Sequence, residues 1–261
     1  MKITFDSNVW RIISSPDKFP KEVSIEDFKA IRKAIDEKKI IPFLCETVFT
    51  LEAIKRKDRK EFFSDYKPNT NRLVEEGENG EIKLSFSIRS DITAHPGNNS
   101  FLESHLKDAI SIGFQIIKLP RVAGIVNSDI EEYFYKHKDL SAYHNKVFEV
   151  GRAIESKKAG MFHIRELGEK YDTHWVTGIA HAPTHEEGDI AKAIAEWADG
   201  DSVACHIAVG GDYFCTRDSA RKAGDKSIFS DENLKWLESE YDFCIISPEE
   251  LARKCRLEET R

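Results

Sequence analysis

Four acidic side chains stand at points where a carboxylate does little for folding and could do chemistry. Asp6 follows the short apolar run "KITF". Glu52 lies in "ETVFTLEAIKR", and Asp201 lies in "DGDSVACHIAV". Asp218 comes just after the apolar "FCT". Carboxylates that converge repel one another, and their ionised state is stable only with positive charge between them. Oxygen-rich sites of this kind suit Mg²⁺ or Mn²⁺. A cation so held lowers the pKa of a bound water and neutralises charge on a phosphodiester.

The elements around these acids decide whether they can meet. "KITF" and "IIPFL" read as strands, and "SIEDFKAIRKAIDEK" reads as a helix whose apolar positions recur at helical spacing. The stretch from Glu46 to Phe63 reads as a second helix carrying Glu52 in its body. Towards the C-terminus "DYFCT" and "FCIIS" read as strands, with "DENLKWLESEY" and "PEELARKC" as helices. The pattern over His185–Val209 reads as helices interrupted around Asp199–Asp201, which places Asp201 at or near a helix N-terminus. Strands alternating with helices predict a parallel α/β sheet. The C-terminal ends of its strands share one edge, and sites gather where the strand order switches.

The middle of the chain differs. "NGEIKLSFSIRSD" alternates like a hairpin or edge strand, "GFQIIKLP" offers a further strand, and two helical patterns flank it. The expected organisation is an N-terminal part over 1–63, an insertion over 64–185 and a C-terminal part over 186–261. His174, His181 and His185 read as a polar loop rather than a zinc site, because Ala182-Pro183 breaks the helix that would face the last two together.

The order and spacing of "ITFDSNVW", "ETVFTLEAIKR", "DGDSVACHIAV" and "FCTRDSAR" resemble the successive acidic motifs of the PIN-domain nucleases. "FCIISPEELARK" resembles that family's closing strand and helix. The resemblance covers roughly the first 60 and last 75 residues. It implies an α/β, PIN-like three-layer fold: a central, mostly parallel β-sheet flanked by helices, here with a large central insertion. It further implies that Asp6, Glu52, Asp201 and Asp218 are the catalytic residues and hold Mg²⁺ or Mn²⁺. Ser7, Asn8 and Thr216 would support them, and Glu46 and Asp199 are alternative ligands. Lys55, Arg56, Arg217 and Arg221 are candidate phosphate contacts.

The activity implied is metal-dependent endoribonuclease cleavage of single-stranded RNA. The alternatives are a catalytically silent RNA-binding or scaffold module, and a PIN-like nuclease acting on DNA. A haloacid-dehalogenase-like phosphatase needs a second Asp two residues after the first, where this chain has Asn8. Partners implied are the RNA substrate and a protein inhibitor of the antitoxin kind, with homo-oligomerisation open. The net charge of −7 speaks against an extended duplex-binding surface. Five cysteines without CxxC spacing suggest reduced, mostly buried thiols and a cytoplasmic protein. No apolar stretch is long enough for a membrane span.

Overall fold

The computed structural model describes residues 1–65, 68–76, 81–90, 100–120, 132–218, 224 and 227–259, some of them within helices and strands by backbone only. Five strands form one parallel sheet: β1 (Lys2–Phe5), β2 (Ile41–Cys45), β5 (Gln115–Ile117), β6 (Tyr213–Cys215) and β7 (Ile245–Ile246). Their spatial order is β5-β2-β1-β6-β7. The chain starts at the centre, builds outward through β2 and β5, and then returns to the other side of β1 with β6 and β7. The sheet therefore reverses its direction of growth between β1 and β6.

Strands covered on both faces need apolar residues on both sides of the pleat, and alternate residues here divide between two cores. Ile3, Phe5, Leu44, Ile116 and Cys215 face α1 (Trp10–Ser14), α2 (Ile25–Asp36), α4 (Ser100–Ser111) and α10 (Pro248–Glu259). Phe43, Cys45, Ile117 and Phe214 face the other layer. That layer contains α3 (Arg59–Asp65), α5 (Leu140–Ser156), α6 (Phe162–Glu169), α7 (Trp175–His181), α8 (Glu187–Val209) and α9 (Asp231–Tyr241). The result is the expected three-layer α/β arrangement. A separate antiparallel hairpin joins β3 (Pro68–Glu76) to β4 (Ile82–Ser90), while its Asn-Gly signal lies outside the described residues.

The middle segment is not simply laid over a sheet completed by the chain ends. It supplies β5, which pairs with β2, and α5, which packs along α8. Glu46, 1% exposed, ties this edge together by accepting the Leu119 backbone N–H at 2.6 Å.

Two expectations about helices are corrected. The stretch from Glu46 to Phe63 is not one helix. After a 3₁₀ turn over Glu46–Val48 the chain runs through irregular turns to a second 3₁₀ turn over Arg56–Asp58, and α3 starts only at Arg59. The Glu52 N–H reaches back to the Thr47 carbonyl, and Thr47 is anchored to Ser202 by a 2.7 Å hydroxyl pair. These contacts hold a compact turn in place of a helix. Conversely, α8 runs unbroken for 23 residues. Gly200 sits in its middle because the backbone at Gly160 passes so close that a Cβ on Gly200 would lie 2.9 Å from the Gly160 Cα. Glycine here serves packing and does not end the helix.

Candidate active site

Asp6 takes the last position of the β1–β6 ladder, its N–H bonded to the Cys215 carbonyl at 3.0 Å. The chain then turns into α1, so the carboxylate stands at the C-terminal edge of the sheet, at the reversal between β1 and β6. Asp6 is 7% exposed and its oxygens are well occupied. Oδ1 accepts the Ser7 N–H at 2.6 Å, while Oδ2 accepts Asn8 Nδ2 at 2.8 Å and Thr216 Oγ1 at 2.5 Å.

Asn8 and Thr216 bind the two strand ends into one unit. The Asn8 amide also donates to Thr216 Oγ1 at 3.1 Å and to Asp218 Oδ2 at 3.2 Å. Its carbonyl oxygen accepts the Arg217 N–H at 3.1 Å. Thr216 Oγ1 in turn accepts the Asp218 N–H at 3.0 Å. A hydroxyl with one donor proton and two lone pairs can serve all of these roles at once. Ser7, Asn8 and Thr216 thus occupy supporting positions around Asp6.

Glu52 reaches this edge from the turn after β2, where Ser7 and Thr47 favour its ionised carboxylate. Burial, and then the neighbouring charge of Asp6, raises its pKa to about 7; Arg59 acts in the opposite direction. Burial likewise raises Asp6 to about 6, with Thr216 opposing the shift and Asp218 adding to it. Like charges crowded in a site of low polarity oppose further ionisation.

The fourth carboxylate of this group is Asp199. Burial pushes its pKa well above the ordinary range, and Asp6, Glu52, Glu196 and Asp218 push it further. Asp201 is turned elsewhere, which corrects the expectation that placed it in the cluster. Two positions along a helix rotate a side chain by about 200°, and Asp201 faces inward at 1% exposure. Its Oδ2 accepts the Trp197 indole N–H at 2.8 Å. The order D-G-D offers both acids, and only an unbroken helix decides between them. Glu46, the alternative to Glu52, is spent on Leu119.

The candidate phosphate contacts scatter. Arg217 is turned towards α2, with an ion pair to Glu22 at 2.5 Å and its guanidinium 4.8 Å from the centre of the Phe28 ring. That placement corrects its expected role. Arg221 lies outside the described residues. Lys55 and Arg56 are exposed on the turn preceding α3. A cation that acts on these acids is Arg59, one of the basic residues of "KRKDRK" and not among the candidate phosphate contacts. Its guanidinium donates to the carbonyls of Ile54 at 3.2 Å and Ala191 at 2.6 Å, and its charge acts on Glu52 and Asp199. His181 and His185 are exposed, and His181 stands 3.8 Å from Asp172.

Among the described residues no three His, Cys, Asp or Glu side chains form a ready ligand set for a metal ion. Asp6, Glu52, Asp199 and Asp218 nevertheless act on one another electrostatically at one edge of the sheet. Such a donor set fits a hard divalent cation. Mg²⁺ commonly uses one or two direct carboxylates and keeps several waters, so it needs no preformed cage. No helix among the described residues is long and apolar enough to cross a membrane. All five cysteines are free, and four of them are buried. Comparison of the chain with protein-family models, curated proteins and solved structures finds no match.

Proposed function

We propose that this chain is a divalent-metal-dependent phosphodiesterase, a PIN-like nuclease that hydrolyses RNA. One observation carries the reading. Four carboxylates from four separate segments share one electrostatic field at the reversal of a parallel sheet, the place where α/β sheets bind their ligands. A stability role alone gives no account of a buried Asp6 gathered with the half-buried Glu52 and Asp199 beside Asp218, since their proximity opposes folding at neutral pH.

Asp6, Asp199, Asp218 and Glu52 would hold the cation. Once bound, it supplies a water of lowered pKa and neutralises charge on the phosphodiester oxygens. The protein's own part is positional. Ser7, Asn8 and Thr216 fix the Asp6 carboxylate through both of its oxygens. Asn8 spans Asp6 and Asp218 with one amide and keeps them at a set separation. Arg59, held by two backbone carbonyls, offsets part of the negative field beside Glu52 and Asp199.

The test is Mn²⁺-dependent cleavage of a labelled single-stranded RNA, run beside single-stranded DNA of the same sequence. Asp6→Asn and Asp218→Asn should each lower the rate at least about 100-fold while leaving the circular dichroism spectrum unchanged. Undiminished cleavage in both variants would overturn the assignment. Preferential cutting of the DNA strand would redirect it to a deoxyribonuclease.

A further inference from the structure

Helix α8 carries polar side chains into a core that is mostly apolar. Asp199, Ser202 and His206 follow one another at intervals of three and four residues, so they lie within about 60° of each other around the helix axis. Ser202 and His206 each make a buried side-chain hydrogen bond to a segment that carries an acid of the site. Ser202 Oγ pairs with Thr47 Oγ1 at 2.7 Å, and the Thr47 carbonyl accepts the Glu52 N–H at 3.0 Å. His206 Nδ1 pairs with Thr4 Oγ1 at 2.8 Å. Thr4 precedes Asp6 by two residues and shares its face of the strand. All four partners are buried. The ring fits at 206 because residue 211 is glycine: a Cβ there would lie 2.3 Å from His206 Cε1. Burial lowers the His206 pKa to about 3, which keeps the ring neutral. Its Nε2 is buried without a hydrogen-bond partner among the described residues.

The stability of the fold does not call for this seam. Two apolar groups of matching shape would fill either place with little loss, and an unpaired ring nitrogen is a cost. Position does call for it. Apolar contact is non-directional, so a helix packed by it alone can slide or turn cheaply. A shift of α8 by one residue, about 1.5 Å and 100°, would leave four polar groups without partners in the core, which is costly. The two bonds stand at different heights on the helix and reach different segments, so together they fix both its translation and its rotation. We infer that Thr4, Thr47, Ser202 and His206 are positioning residues, which set Asp199 in register with Asp6 and Glu52. The inference rests on the reading of those acids as one cation site.

The test replaces both partners of each bond. Thr4→Val with His206→Leu, and Thr47→Val with Ser202→Ala, remove one bond apiece and leave no lone partner, so melting temperatures should stay close to the parent's. Apparent Mn²⁺ affinity, read without RNA from the electron paramagnetic resonance of free Mn²⁺, should nevertheless fall about 10-fold in each. Thr4→Ser keeps the hydroxyl and should keep the parent affinity. The metal-free protein gives a second reading. Labelled with 5-fluorotryptophan, the buried Trp197 of α8 should give one narrow ¹⁹F line that broadens or splits in the double variants. A wild-type protein that binds no Mn²⁺ would remove the cation-site reading, while the fluorine line still decides whether the seam sets the helix. Parent Mn²⁺ affinity or an unchanged Trp197 line in both double variants would overturn the inference. So would losses of affinity that simply follow losses of melting temperature, which would mark the seam as stabilising only.

Discussion

Thr216 donates its hydroxyl proton to Asp6 Oδ2 at 2.5 Å across 210 residues of sequence, and Thr216 Oγ1 itself accepts the Asp218 N–H at 3.0 Å. One small side chain thereby fixes both the position of the buried acid and the path of the chain that carries its neighbour.

Removing that hydroxyl should make Asp6 harder to ionise, since Thr216 is the largest influence lowering its pKa. Thr216→Val keeps the shape and deletes the donor. Metal-dependent activity should fall roughly 10–100-fold at neutral pH, with the acid limb of the pH–rate profile displaced upward. Thr216→Ser should restore both. A Val variant with the parent profile would show that the bond does not tune the acid.

Asp199 and Asp201 make opposite predictions. Asp199→Asn removes a member of the repelling cluster, so it should lower metal-dependent turnover and raise the stability of the metal-free protein at pH 7.5. Asp201→Asn leaves an oxygen to accept from Trp197 and should change turnover less than about 3-fold. Rates and thermal melts of both variants decide the matter, and the reverse ranking would return Asp201 to the cluster.

The metal-free protein should be more stable at pH 5 than at pH 8 as far as these acids are concerned. Asp6 has a folded pKa near 6 against an ordinary value of 3.8, and Glu52 a folded value near 7 against 4.5. Between those values the folded state binds more protons than the unfolded state, so stability falls as pH rises through about 4 to 7. The contribution from Asp6 alone is on the order of 1–3 kcal/mol. Urea titrations across pH would measure it, and added Mn²⁺ should restore stability at pH 8 by mass action. A flat dependence for the metal-free protein, with no effect of Mn²⁺, would count against a cation site.

Arg59 holds Glu52 down by its charge and two carbonyls by its hydrogen bonds. Arg59→Met should raise the Glu52 pKa above about 7, visible in carboxyl-carbon NMR of glutamate-labelled protein. The two carbonyls lose a charged donor, so stability should also fall by about 1–3 kcal/mol. An unmoved Glu52 titration would place Arg59 outside the site's electrostatics.

Much of the frame was legible in the sequence because strand and helix periods are local properties. The parallel strands β1, β6 and β7 lie within the runs that predict them, as do α2 and α9, while β2 and α10 overlap theirs and run on past the C-terminal end. What was not legible depends on distant partners. Glu52 sits in a turn rather than a helix because Thr47 is claimed by Ser202, over 150 residues away. The D-G-D stretch reads as a break because Gly and Asp are poor in helix interiors. It is helical because Gly160 needs the space that Gly200 leaves. Arg59 is one cation among several in a basic run, and only the distant carbonyl of Ala191, with that of Ile54, gives its guanidinium a fixed place.

The reversal between β1 and β6 also sets a timetable. Asp6 and Glu52 are close in sequence, but β6 can pair with β1 only after the more than 200 residues between them have been made. Contacts of such long sequence separation form late and slowly. A nascent chain therefore holds Asp218 apart from Asp6 and Glu52 until β6 has been made and docked, and the full gathering of negative charge is acquired only at that step.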